Sequence, residues 1–227
     1  MSRMKRSIQT VIAAAGMLAP LFAVEASTPN LRGIASGAGA IVAVNSHGRL
    51  VTSTNDGEWT ERNSQIPFAL HHITFAKGQF VAVGNEGAIV TSSNGLDWTP
   101  RASTTDERLR SVTWGKDCFV GVGYSGTIVV SKDGVHWSPS QSGTNERLIG
   151  VAYGDGKFVA VGWNGTILTS KNGRDWDRQR CESRAKLLTV TYSENGFTAV
   201  TEFGESLGSE TGSKWVRTGA MLASDLK

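Results

Sequence analysis

Five pairs of residues, each framed by Gly or a near-equivalent at a fixed spacing, differ in every copy and bring together side chains that could bind or react: Ser46-His47, Asn85-Glu86, Tyr124-Ser125, Trp163-Asn164 and Glu202-Phe203. Two carboxylates in this set, Glu86 and Glu202, are the candidates for glycoside chemistry, which needs a pair of acids at a set separation across the scissile bond. The aromatic rings of Tyr124, Trp163 and Phe203, beside the amides Asn85 and Asn164 and the imidazole of His47, suit a sugar, whose apolar face stacks while its hydroxyls hydrogen-bond. The same side chains also suit a protein partner, for which Tyr, Trp and Arg are common anchors. A third group, Arg108, Arg147 and Lys186, recurs one period apart. It reads either as a basic rim for an anion or as a solvated row paired with Glu107, Glu146 and Glu182. Packing of Trp163 and Phe203 across adjacent loops is the bland alternative to any binding role.

These pairs repeat because the chain repeats. Trp59, Trp98, Trp137, Trp176 and Trp215 follow one another at 39-residue intervals without insertion or deletion. Each unit opens with an apolar pair and an aromatic, as in Leu109, Val112 and Trp114 or Leu148, Val151 and Tyr153. A short run apolar on both faces follows, such as Phe80-Val81-Ala82-Val83-Gly84, which suits a strand held between two sheets. A Gly-x-x-Gly hairpin, a third strand through Ile89, Ile128 or Ile167, an Asn/Asp-Gly turn and a polar strand starting at the tryptophan complete the unit.

Such a four-stranded meander cannot bury both faces alone, whereas copies stacked about an axis cover one another. The chain is therefore expected to be all-β, a five-bladed β-propeller of four-stranded antiparallel blades. Its repeats are 31–69, 70–108, 109–147, 148–186 and 187–225. Ring closure is favoured because it protects edges. An open stack, or a part-ring completed by a second chain, is the alternative. The Gly-x-x-Gly turns and unit-to-unit connections fall on one face of such a body, and the Asn/Asp-Gly turns on the other.

Residues 1–26 read as a secretory signal peptide: Arg3, Lys5 and Arg6, then an apolar run from Val11 to Val24, then small residues at Val24 and Ala26. The expected location is periplasmic or extracellular. No later apolar run is long enough for a membrane span. The mature chain has 20 basic against 19 acidic side chains, a net charge of +1 that gives no general footprint for nucleic acid. Cys118 and Cys181 fall at different heights in their units and are expected as free thiols. No metal set is recognisable, since His71 and His72 are neighbours on a strand and His47 and His136 fall on opposite faces. No cofactor motif is present, and a monomer is expected.

The segments Ser92 to Trp98, Ser131 to Trp137 and Ser170 to Trp176 resemble the Asp-box, or bacterial neuraminidase repeat, in a variant shortened by one residue. Ser53 to Trp59, with Asn55-Asp56-Gly57 at its turn, and Ser209 to Trp215 are degraded copies. The chain is also similar to the secreted propellers that assist photosystem II assembly. The resemblance implies a structural turn, with the tryptophan covering the junction to a neighbouring blade. It also implies a test for sialidase chemistry. That chemistry needs an arginine triad and inserted loops, but Ser140 and Gln179 stand where Arg62 and Arg101 would call for further arginines. The expected activity is therefore non-catalytic: an exported module that binds a protein, or alternatively a glycan, through its variable face. A glycosidase acting through Glu86 and Glu202 is the remaining enzymatic reading.

Overall fold

The computed structural model describes residues 31–45, 47–54 and 58–220. The signal-peptide reading of residues 1–26, Ser46 and the Asn55-Asp56-Gly57 turn lie outside them. Among the described residues twenty strands form five separate antiparallel sheets of four, each sheet built from four consecutive strands. The first blade is β1 (Leu31–Gly37), β2 (Ala40–Asn45), β3 (Leu50–Ser53) and β4 (Thr60–Arg62). The second is β5 (Leu70–Ala76), β6 (Gln79–Gly84), β7 (Ile89–Ser92) and β8 (Thr99–Arg101). The third is β9 (Leu109–Gly115), β10 (Cys118–Gly123), β11 (Ile128–Ser131) and β12 (Ser138–Ser140). The fourth is β13 (Leu148–Gly154), β14 (Lys157–Gly162), β15 (Ile167–Ser170) and β16 (Asp177–Arg178). The fifth is β17 (Leu187–Ser193), β18 (Gly196–Thr201), β19 (Glu205–Ser209) and β20 (Val216–Ala220). The architecture is a five-bladed β-propeller.

The second strand of each blade is apolar on both faces because it is covered twice. Val81 and Val83 of β6 join Leu109, Val112, Phe119 and Trp137 of the third blade in one core. On the opposite face, Phe80 and Ala82 join Val42 and Val44 of the first blade. The pattern repeats at the next two junctions. Each tryptophan from Trp98 to Trp215 thus packs against the preceding blade, as the sequence leads one to expect. Burying such a side chain contributes about 1.5–3 kcal/mol. The blades meet closely: a Cβ on Gly115 would lie 2.0 Å from the Tyr153 ring of the next blade, so only glycine fits.

The expected closure of the ring is where structure and expectation part. The innermost strands pack in series, β1 on β5, β5 on β9, β9 on β13 and β13 on β17, but β17 makes no comparable packing against β1. The last blade's outer-facing surface explains this. Thr198 and Ser206 stand where the preceding blade has the fully buried Val159 and Ile167, and Leu188 and Tyr192 are exposed. Opposite, Leu31, Ile34, Ile41 and Val51 of the first blade are only partly covered. Among the described residues the propeller therefore has an unsealed seam between its first and last blades, with polar residues on the fifth blade where the fourth carries apolar ones.

Candidate functional site

The Gly-x-x-Gly loops are fixed by the connections between blades, which places both on one face. In four of the loops the N–H of the first middle residue donates to the carbonyl just before its own blade: Asn85 to Ala69, Tyr124 to Arg108, Trp163 to Arg147 and Glu202 to Lys186, all at 2.9 Å. The closing glycine reaches the following connection, Gly87 to Glu107 at 3.0 Å and Gly126 to Glu146 at 2.9 Å. Between these anchors Glu86, Ser125 and Asn164 all take φ near +52°, the left-handed region. Gly126 has no alternative residue, for a Cβ there would meet the Thr144 carbonyl at 1.8 Å and its φ is +69°.

This backbone frame turns the variable residues into a row. The Arg108 guanidinium lies 5.1 Å from the Tyr124 ring, and Arg147 lies 4.5 Å from the same ring and 4.3 Å from Trp163. Lys186 follows at 5.0 Å from Trp163 and ends in an ion pair with Glu202 at 2.8 Å. Each ring thus holds the cation of its own blade and that of the next. Exposed cation–π contacts are worth roughly 0.5–1 kcal/mol each, enough to order long side chains that would otherwise sample many rotamers. Asn164 joins the row by donating to Glu146 at 2.8 Å. The expected pairing of Arg108, Arg147 and Lys186 with Glu107, Glu146 and Glu182 is therefore replaced by stacking and by the Lys186–Glu202 bridge. The reason is geometric: the bonded loop brings an aromatic ring over each preceding arginine.

The remaining predicted residues lie elsewhere on the loop side. Phe203 is 74% exposed beside the end of the row. His47 is exposed on the first blade, its N–H donating to Asn45 Oδ1 at 3.0 Å. Glu86 lines a separate recess of about 440 Å³ with Phe68, Pro100, Arg101 and Asp106. Glu202 does not line that recess, and the hydrogen bond from Lys186 holds its carboxyl below the usual range.

Asn85 leads to residues that the sequence reading passed over. Its Oδ1 lies 2.6 Å from His71 Nε2, and His71 Nδ1 lies 2.7 Å from Arg32 Nη1. A guanidinium only donates, so Nδ1 accepts, and Nε2 carries the proton given to Asn85. Burial holds His71 down to about 4, and does the same to His72, whose Nδ1 accepts from the Val112 N–H at 3.4 Å. Both imidazoles are neutral near pH 7, His71 in a relay and His72 accepting from the neighbouring blade. The signal was legible, since positions 32, 71 and 110 carry Arg, His and Arg one period apart. The cysteines are free: Cys118 is buried and Cys181 partly so, and burial raises both thiols above their ordinary range.

On the opposite face the Ser-x-Asn/Asp-Gly turns are shaped by bonds within each turn, and the preceding blade adds bonds to their carbonyls, as from Thr52 to Gly95 and from Gln79 to Asp133. Ser131 Oγ accepts from the Gly134 N–H at 2.8 Å, and Asp133 Oδ1 accepts from Val135 and His136 N–H at 2.9 and 2.8 Å. Asn94 and Asn172 make the same contacts. The tryptophan Nε1 then donates to the turn glycine carbonyl, at 3.0 Å in Trp137 and 2.8 Å in Trp215. These oxygens and amides satisfy one another. Among the described residues no group of three or more His, Cys, Asp or Glu side chains is placed to hold a metal.

No family model matches the sequence, and no curated protein matches it. Among solved structures the chain is similar to YCF48 bound to D1 peptide, at 19% identity and a TM-score of 0.63, over 87% of this chain and 69% of that one. YCF48 from Cyanidioschyzon merolae gives 14% and 0.64, over 86% and 73%. The WD40 β-propeller domain of Doa1 gives 14% and 0.67, over 89% and 71%. At these identities the likeness establishes the fold, and the chain is a β-propeller.

Proposed function

We propose that this is an exported, non-catalytic propeller that binds a protein partner through its loop face, as an assembly or recognition module. The observation that carries the reading is the ordered row Arg108–Tyr124–Arg147–Trp163–Lys186, assembled from three blades by backbone bonds and cation–aromatic contacts. Side chains already held in place lose little entropy on binding, and Arg, Tyr and Trp are the residue types that dominate protein interfaces. Their outward N–H groups favour carboxylates and backbone carbonyls of an extended or acidic segment. The similar YCF48 structure with bound D1 peptide supports a peptide-binding role for such a scaffold. Secretion is argued from the basic start and apolar run of residues 1–26.

A glycan is the weaker reading because Tyr124 and Trp163 each already carry two cations within about 5 Å of the ring, competing with a stacked sugar. The test is affinity capture from an envelope extract with the wild type and the Tyr124→Ala/Trp163→Ala variant, followed by direct titration of any captured protein. Loss of the partner with an unchanged melting temperature supports the reading. Equal affinity in both proteins removes the row from the function.

A further inference from the structure

Each innermost strand carries a bulge at the same place, and one residue there has no partner across the ladder. The bulged residues are Arg32, His71, Arg110, Ile149 and Leu188. Bulges re-aim a side chain and are common beside functional sites. Here they form a row around the propeller axis that is basic or polar on three consecutive blades and apolar on the last two.

The basic part is built, not incidental. His71 is 6% exposed and bridges the first blade's Arg32 to the second blade's loop residue Asn85, which fixes the arginine. Arg110 follows on the third blade, and its Nε is buried without a hydrogen-bond partner. Arg32, Arg108 and Arg110 all act electrostatically on His71, and Arg32 and Arg108 act on Arg110. The ion pairs among the described residues are Arg49–Glu61, Asp133–His136, Lys186–Glu202 and Arg217–Glu205, so none of these three arginines has a carboxylate partner. Like charges held together without a counter-charge repel one another. An arriving anion removes that repulsion and satisfies the idle donor.

We propose that Arg32, Arg108 and Arg110 bind an oxyanion at this three-blade bulge, a carboxylate or a phosphate, with Ile149 and Leu188 continuing the row as an apolar wall for the group that carries it. Guanidinium forks match both anions in two-point geometry. The apolar continuation favours a carboxylate attached to an apolar residue, as at a peptide chain end. Arg108 is shared with the cation–aromatic row, where it stacks on Tyr124, whereas Trp163 touches none of the three arginines.

The test is a titration of the full mature chain, followed by the imidazole resonances of His71, with N-acetylleucine, N-acetylleucinamide and inorganic phosphate as probes. The expected result is saturable binding of N-acetylleucine, with the amide at least about tenfold weaker, a factor set by losing charge-assisted hydrogen bonds. Tighter binding of phosphate than of N-acetylleucine also supports the site and assigns its occupant as a free anion. Arg110→Gln should weaken the bound probe at least about tenfold, and Arg110→Lys by less, because it keeps the charge and loses the fork. Trp163→Ala alone should bind the probe as the wild type does, because Trp163 touches Arg147 and Lys186 and none of the three arginines, which separates this site from the partner-binding row. Equal binding of acid and amide with no saturation by phosphate would overturn the proposal. So would unchanged affinity in a folded Arg110→Gln protein.

Discussion

The two rims of the propeller are built from the same repeat and treat it in opposite ways. On the turn rim, Ser92, Ser131 and Ser170 make the same short bonds to the same positions in three blades, and bonds arriving from a neighbouring blade, such as Gln79 to the Asp133 carbonyl and Lys157 to the Thr211 carbonyl, reach only the turn backbone. On the loop rim, equivalent positions hold Asn85, Tyr124, Trp163 and Glu202, and their side chains reach into neighbouring connections. Local contacts can be copied without regard to the neighbour, so they stay uniform. Contacts that cross between blades depend on who the neighbour is, and they are where one blade can differ from the next. A rigid rim of identical turns thus supports a rim of individual side chains, the usual division between scaffold and recognition surface.

The comparison breaks first at its strongest point. Trp137→Ala removes a buried indole from the junction of the second and third blades, and an unfolding titration should show a loss of about 3–5 kcal/mol. Ser131→Ala, also on the turn rim, strips the buried hydroxyl that serves Asp133 and Gly134. The expected loss is about 1–2 kcal/mol by the same measurement, with no change in partner binding. On the loop rim the order reverses. Trp163→Ala should lower stability by about 1 kcal/mol or less, since its contacts are exposed cation–π pairs, while weakening partner capture. Stability losses as large as those of the turn rim would show that the row is structural.

The smallest effect distinguishes blades within the turn rim. The His136 side chain, then the His136 and Val135 N–H groups, hold the Asp133 carboxyl well below its ordinary value of 3.8. A carboxyl so depressed in the folded state adds stability that is complete above 3.8 and is lost as pH falls below it toward the folded value. Asn94 and Asn172 do not titrate, so Asp133→Asn should flatten the acid limb of the stability curve slightly and leave pH 7 nearly unchanged. The group is exposed, so solvent screens the effect. An acid limb identical in wild type and variant would remove Asp133 from the account.

The blade itself was legible because its causes are local and repeated. The period of the tryptophans, the glycines of the hairpins and the doubly apolar second strand each answer to a constraint within one unit or between identical neighbours. The row on the loop face was legible only as a set of residue types. That Arg108 stacks on Tyr124, and does not pair with Glu107, depends on a hydrogen bond from the Tyr124 N–H to the Arg108 carbonyl. The seam was written in the sequence too, in Thr198 and Ser206 at the places of Val159 and Ile167, but its meaning needs the identity of the facing blade.

Pattern alone therefore determined the number of strands, the blade and the sidedness of the loops, because side-chain alternation and turn chemistry act over a few residues. Whether the first and last blades meet, which cation lies on which ring, and that Arg32, His71 and Arg110 gather at one rim were decided by packing between units 39 residues apart. Such contacts arise only when the blades have taken their angle to one another, and no stretch of chain specifies that angle by itself.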